Sequence, residues 1–277
     1  IFDETPIKGN MSSLKELMHM SGRRVLITGA TGALGSIIAE TLAELGADLL
    51  LVDQPSSDFE KLKSTLLGRW QVDIQSLSCD LEIEEDRLSL INQVKQHGYG
   101  LNSLINNAAF TGNSDLKGWC APFEKQNLNS WRRAMEVNLT AAFHLSQAFT
   151  PELRVGEGGN IINITSIYGQ FGPDWGLYQD TAMANPAAYG ASKGGLAQLT
   201  RWLATTIAPD VRVNAIAPGG IFRDQPQDFV GRYEERTPLN RMATEDDFRG
   251  AIAYLASDLS KYMTGQILHI DGGWGAW

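Results

Sequence analysis

Between Arg24 and Asp53 the chain packs a strand, a glycine-rich turn, a helix and a second strand into 30 residues, and few folds begin that way. Arg24-Val-Leu-Ile-Thr28 is a short apolar, β-branched run that leads straight into Gly29-Ala-Thr-Gly32-Ala-Leu-Gly35. A helical pattern follows from Ser36 to Leu45 and stops at Gly46; Ala47–Val52 is then a second apolar run, ending at Asp53. Glycines at a strand-to-helix turn let backbone approach a pyrophosphate, and the helix N-terminus supplies N–H groups and positive dipole. A carboxylate at the end of the second strand falls where such a unit hydrogen-bonds adenosine ribose hydroxyls. Gly29, Thr31, Gly32, Ala33 and Leu34 are the expected phosphate cradle, and Asp53 the expected ribose ligand.

The same alternation continues along the chain. Buried strands are predicted at Arg24–Thr28, Asp48–Val52, Asp73–Ser78, Ser103–Asn106, Asn160–Thr165, Arg212–Ala217 and Gln266–Ile270, with helical stretches between them. Seven strands separated by helices imply an α/β fold: a Rossmann-type, doubly wound, seven-stranded parallel sheet with ligands at the strand C-terminal ends. At 277 residues and 43% hydrophobic content one large core suffices. The expected organisation is an N-terminal arm (1–22) and a single domain (23–277) carrying a lid-like insertion. Two irregular stretches, 169–188 and 222–240, are rich in Gly, Pro, Trp, Gln and charge and are expected to be substrate loops. Leu14, Leu17 and Met18 fall at helical spacing within Ser12–Met20, either an arm docked on the body or a partner-binding helix; Met11 is a candidate native start.

Composition excludes several classes. A formal charge of −9 and a pI near 5.0, without a dense basic cluster, argue against nucleic-acid binding. Cys79 and Cys120 lack metal-type spacing, and His19, His97, His144 and His269 are scattered, so no metal is expected and a reducing compartment fits. No apolar run approaches the roughly 18 residues of a membrane span, and Ile1–Asn10 lacks the apolar stretch of a signal peptide. The expected location is cytoplasmic.

The chemistry is expected at Tyr189-Gly-Ala-Ser-Lys193. Residues at i and i+4 share a helix face, so Lys193 can lie beside the Tyr189 hydroxyl. A free tyrosine titrates near pH 10, and a fixed positive charge favours the phenolate that an acid/base tyrosine needs. Cys79-Asp80-Leu81 follows a strand, as does Asn106-Asn107-Ala108-Ala109. Asn138 lies inside a helix, Ser166 lies just past Asn160–Ile164, and Pro218-Gly219 follows Val211–Ala217. In order and spacing these motifs resemble the short-chain dehydrogenase/reductases, from about Gly22 to the C-terminus. Two positions depart from that pattern. The glycine turn is closer to the family's extended branch, and Ala109 replaces a usual glycine, which is tolerated where φ is negative. Ser166-Ile-Tyr-Gly169, the stretch to Tyr189 and Pro218–Pro226 resemble a bacterial subgroup of flagellin-modification or sugar-modifying oxidoreductases.

The resemblance implies hydride transfer between nicotinamide and a carbinol or carbonyl carbon. Tyr189 would exchange the substrate proton, Ser166 hold the substrate oxygen, Lys193 lower the tyrosine pKa and bind the nicotinamide ribose, and Asn138 hold a water between Lys193 and solvent. Asp80 and Leu81 would lie near adenine, Asn107 and Ala108 along the ribose, and Pro218, Gly219 and Ile221 against the nicotinamide. Asp53 would repel a 2′-phosphate, which favours NAD over NADP. Trp175 and Tyr178 are candidates to stack on a sugar ring, and Arg223 and Gln225 to meet a carboxylate or phosphate. Together they favour a polar small-molecule substrate of the sugar or sugar-acid class. The alternatives are an NAD-linked alcohol or 3-hydroxyacyl dehydrogenase, and a catalytically silent NAD-binding scaffold. The family usually assembles through two long helices, here Ser130–Phe149 and Tyr189–Ile207, so a homo-oligomer (tetramer or dimer) is expected. The Trp274/Trp277 tail either sits at such an interface or covers the sheet edge.

Overall fold

The computed structural model describes residues 12–98, 100–112 and 116–277; Met11 and the first ten residues of the arm lie outside them. In chain order the elements are α1 (Leu14–Met18), β1 (Arg24–Thr28), α2 (Ala33–Glu44), β2 (Asp48–Asp53), α3 (Phe59–Leu67), β3 (Ile74–Ser78), α4 (Glu84–Gln96) and β4 (Ser103–Asn106). They continue with α5 (Leu128–Met135), α6 (Ala141–Val155), β5 (Asn160–Ile164), α7 (Ala187–Thr206), β6 (Arg212–Pro218), α8 (Gln227–Arg236), α9 (Arg249–Ala256) and β7 (Ile267–Ile270). The strands form one parallel sheet in the order β3-β2-β1-β4-β5-β6-β7, the doubly wound Rossmann arrangement expected.

Side chains of a strand alternate between faces, so each inner strand feeds two cores. Val25, Ile27, Leu49 and Leu51 pack with Ile38 and Leu42 of α2 and Ile252 and Leu255 of α9. Leu26, Leu50 and Leu104 pack on the other face with Leu90 of α4, Leu145 and Phe149 of α6, and Leu203 of α7. Burial on both faces is why these strands read as continuous apolar runs.

Helix starts and stops have local causes. Ser13 and Glu16 form a reciprocal capping box on α1, with bonds of 3.2 and 2.7 Å. The fully buried Met20 and its N–H bond to the Leu45 carbonyl (2.9 Å) anchor that segment on the body. The first nucleotide-side helix begins at Ala33, three residues before the predicted Ser36, because Gly32 rather than Gly35 is its N-cap. The predicted long helix Ser130–Phe149 is interrupted: Glu136–Thr140 winds as one π-helical turn between α5 and α6. Such a bulge re-aims side chains in mid-helix and is frequent at functional sites. No helix among the described residues is long and apolar enough to cross a membrane.

Candidate active site

Strand order reverses between β1 and β4, and a cavity of about 560 Å³ opens there at the strand C-terminal ends. Every residue expected to hold the cofactor borders it, as do Ser166, Arg223 and Gln225.

At one end the glycine turn is built by close approach. Gly29 has φ +64°, and a Cβ there would stand 2.8 Å from the Ala108 Cα; a Cβ on Gly35 would stand 2.0 Å from the Gly29 carbonyl oxygen. Gly35→Ala is therefore expected to lower the melting temperature and weaken NADH binding at least about tenfold, because backbone, which has no rotamer to yield, is in the way. Fluorescence titration and a thermal melt check this. Gly32 caps α2 without a side-chain bond, so the first N–H groups of the helix have no side-chain acceptor at the N-cap.

Asp53 reaches back from β2 to the turn. One carboxylate oxygen accepts from the Thr31 N–H (2.8 Å) and hydroxyl (2.7 Å), the other from the Gln54 N–H (2.8 Å). Asn107 also serves the turn: its amide donates to the Thr28 and Gly29 carbonyls, both at 3.0 Å. The Thr28 hydroxyl accepts from the Asn107 and Ala108 N–H groups at 3.1 Å, a role for Thr28 that no motif spacing signalled. Ala109 is not among the residues with positive φ, so the departure from glycine there costs no strain. The Asp80 carboxylate bonds the Glu82 N–H (3.0 Å), and the buried Arg87 bonds the Leu81 carbonyl and Glu136 (2.5 and 2.7 Å). Those bonds tie the expected adenine-side loop to the π turn.

At the other end, Ser166 follows β5 and Tyr189 lies in the first turn of α7. Both side chains border the same cavity, and the Ser166 hydroxyl is near enough to the phenol to favour its ionised form, although 23 positions separate them in sequence. Burial raises the phenol pKa, while the Ser166 hydroxyl and the Arg223 charge pull it back.

Lys193 differs from the sequence expectation. Its ammonium is 5.9 Å from the centre of the Tyr189 ring and donates to the Ile164 carbonyl at 2.7 Å. Burial lowers its own pKa to about 8. The shared helix face is real, the ammonium lies near the ring without bonding the phenol oxygen, and Ser166 and Arg223 also favour the phenolate.

Asn138 sits in the π turn and is buried. Its amide oxygen accepts from the Phe110 N–H (2.6 Å), and its nitrogen donates to the Phe110 carbonyl (3.3 Å) and the Ser192 hydroxyl (3.0 Å). Ser192 in turn donates to the Tyr189 carbonyl at 2.9 Å. The side chain expected to hold a water is thus a strut between the loop after β4 and the helix bearing Tyr189. Ser192, at i+3 from Tyr189, was legible only as part of the motif and not as this link.

The substrate candidates divide. Arg223 borders the cavity but pairs with Glu245 at 3.2 Å, and Gln225 bonds the Ile221 carbonyl (2.8 Å) and the Arg223 N–H (2.7 Å). Tyr178 is a packing residue. Its hydroxyl meets that of Tyr168 at 2.7 Å, and its ring lies 5.4 Å from Phe229. The aromatic series continues through Tyr233 to Trp274, which stack at 4.6 Å. Trp274 is therefore core, and Arg236 lies over both Trp274 and Trp277. Trp175 stands outside the main cavity, on a neighbouring groove.

Comparison with known proteins gives the family of the chain. A family model described as enoyl-(acyl carrier protein) reductase fits residues 29–275. The post-translational flagellin modification protein A of Campylobacter coli is 27% identical, over 92% of this chain and 99% of that protein. A short-chain dehydrogenase from Leptospira borgpetersenii with bound NAD+ is 31% identical with a TM-score of 0.80, covering 95% of this chain and 96% of that one. A candidate NAD(P)-dependent gluconate 5-dehydrogenase from Beutenbergia cavernae, with NADP at low occupancy, is 29% identical with a TM-score of 0.82, covering 94% and 100%. The glycine turn, the sheet order and these full-length matches agree: the chain belongs to the short-chain dehydrogenase/reductase family of oxidoreductases.

Proposed function

We propose that this oxidoreductase transfers hydride between NAD and a carbinol or carbonyl carbon, with Tyr189 as the acid/base. The observation that carries the reading is the Ser166–Tyr189 hydroxyl pair on the same cavity as the Asp53 turn. The donor set fits a dinucleotide: an open helix N-terminus for phosphates, a carboxylate for ribose, and Pro218 and Gly219 at the end of β6 as a wall beside Tyr189. When bound, the nicotinamide accepts or supplies hydride. Ser166 then holds the substrate oxygen by a hydrogen bond. In the oxidation direction the Tyr189 phenolate takes the hydroxyl proton; in reduction the phenol returns it. Asn138 and Ser192 fix the backbone that aims the phenol. The stretches 169–188 and 222–240 act as substrate loops around it.

NAD is favoured over NADP. The charged side chains bordering the cavity among the described residues are Asp53, Asp80, Lys193 and Arg223. The two cations stand with the Tyr189 end, and a carboxylate stands where a 2′-phosphate would go. Asp53→Asn keeps an acceptor for Thr31 but removes the charge. It is expected to reduce the ratio of kcat/KM for NAD over NADP by at least about tenfold, the scale of one charge-assisted hydrogen bond. A wild-type enzyme using both cofactors equally would contradict the assignment.

The sugar reading of the substrate is supported by the similarity to the candidate gluconate 5-dehydrogenase. The acidic part of it is weakened by Arg223, whose charge already faces Glu245. The description of the matching family model keeps an acyl-type carbonyl as the second reading.

A further inference from the structure

A groove of about 770 Å³ lies between the insertion and the loop before α5. Its walls are residues 120–123 and 126, 168, 171–173 and 175, and 181–187, and it reaches Gly190, the residue after Tyr189. Tyr168 and Gly190, which border it, lie two positions past Ser166 and one past Tyr189, so the groove neighbours the cavity that those two residues line. Three large aromatic side chains on it face solvent: Phe123 (77% exposed), Trp175 (58%) and Phe171 (38%). Clustered exposed aromatics of this kind mark ligand or partner surfaces rather than ordinary surface.

Two features of its chemistry restrict the occupant. Among the described residues no Lys, Arg, Asp or Glu lines it. Three of the polar side chains that do are held by protein partners. Gln126 bonds the Ala121 carbonyl (3.2 Å) and the Ala187 N–H (3.1 Å). Thr181 bonds the Tyr178 carbonyl (2.8 Å) and the Met183 N–H (3.2 Å). The Tyr168 hydroxyl bonds that of Tyr178 at 2.7 Å. A charged or hydroxyl-rich group entering here would lose water for few hydrogen-bond partners and no opposite charge, whereas a flat apolar ring would gain aromatic contacts.

We propose that this groove binds an uncharged planar ring carried by the substrate, joined to the carbinol or carbonyl carbon that meets Ser166 and Tyr189. This rests on the proposed function and narrows it: the substrate has two parts, a compact reacting unit and a flat apolar appendage. A free sugar acid would leave the groove empty.

The test separates the groove from the chemistry. Binding of 1-(2-naphthyl)ethanol and of 2-butanol to the enzyme–NADH complex is measured by calorimetry for the wild type, Trp175→Ala, Phe123→Ala and Tyr189→Phe. The naphthyl compound is expected to bind at least tenfold tighter than 2-butanol. Trp175→Ala and Phe123→Ala should each weaken it severalfold or more with NADH affinity unchanged, and Tyr189→Phe should leave it bound. Equal affinity for the two alcohols, or naphthyl binding indifferent to Trp175 and Phe123, overturns the proposal. So does a shift from oligomer to monomer in sedimentation caused by these two groove variants with no change in naphthyl affinity, which would make the groove an interface between copies of the chain. Groove-dependent binding with no turnover of any carbinol would uphold the groove and count against the hydride-transfer reading instead.

Discussion

Tyr189→Phe is expected to lower kcat by roughly 10²–10⁴, the usual worth of positioned acid/base help, while NADH still binds with near wild-type affinity. The variant keeps the ring and removes only the hydroxyl that faces Ser166 across the cavity. The direction of the pKa shift adds a second signature. Burial, acting against the Ser166 hydroxyl and the Arg223 charge, leaves the phenol above its ordinary value of 10.0. Oxidation needs the phenolate, so its rate should climb through the alkaline range; reduction needs the phenol, so its rate should fall there. Both limbs should vanish in the variant. A loss confined to KM, with kcat intact, would place Tyr189 in binding only.

Lys193→Met should cost activity and yet stabilise the protein. The ammonium is buried (1% exposed), and its pKa falls from an ordinary 10.5 to about 8 because burial disfavours the charge. Since the folded value lies below the unfolded one, the unfolded chain holds the proton more tightly, and the charge opposes folding fully at any pH below about 8. The shift corresponds to about 3 kcal/mol, from which about 1 kcal/mol is lost when the Ile164 carbonyl loses its donor. The difference between variant and wild type in denaturant unfolding at pH 7 should therefore be on the order of 2 kcal/mol in favour of the variant, shrinking as pH rises above 8. A destabilised variant would show that Lys193 holds the fold through its bond to Ile164, and a gain independent of pH would show that the buried charge is not its source. The activity loss would accompany either result, so stability is the informative readout.

The framework was legible because its signals are local. Strand positions agree with the observed ones to a residue: Asp73 drops out of β3, Thr165 out of β5 and Gln266 out of β7, while Asp53 and Pro218 extend β2 and β6. Each is the residue where pairing gives way to a turn. The cofactor side was equally legible, since glycine spacing and a strand-ending acid are consequences of backbone approach. What pairwise spacing cannot convey is where a charge points. Lys193 shares a helix face with Tyr189, yet its ammonium goes to a β5 carbonyl instead of the phenol. Arg223 is paired by Glu245, which the return of the chain in a parallel bridge between Ile221 and Ala243 brings alongside. Tyr178 was a plausible stacking residue in a loop, but the aromatic series to Trp274 depends on α8 and the C-terminal tail arriving from far along the chain. The π turn left no composition mark at all, because its i+5 bond uses backbone alone.

The most direct test of the central claim follows a single atom. Secondary carbinols carrying deuterium on the reacting carbon, both ring-bearing and polyhydroxylated, would be incubated with NAD and the enzyme, and the cofactor analysed by mass spectrometry. The account predicts NADH that has gained one deuterium, absent with Tyr189→Phe and much reduced when NADP replaces NAD. NADH binding without label transfer from any carbinol would contradict it, and would leave the catalytically silent binding protein as the better reading.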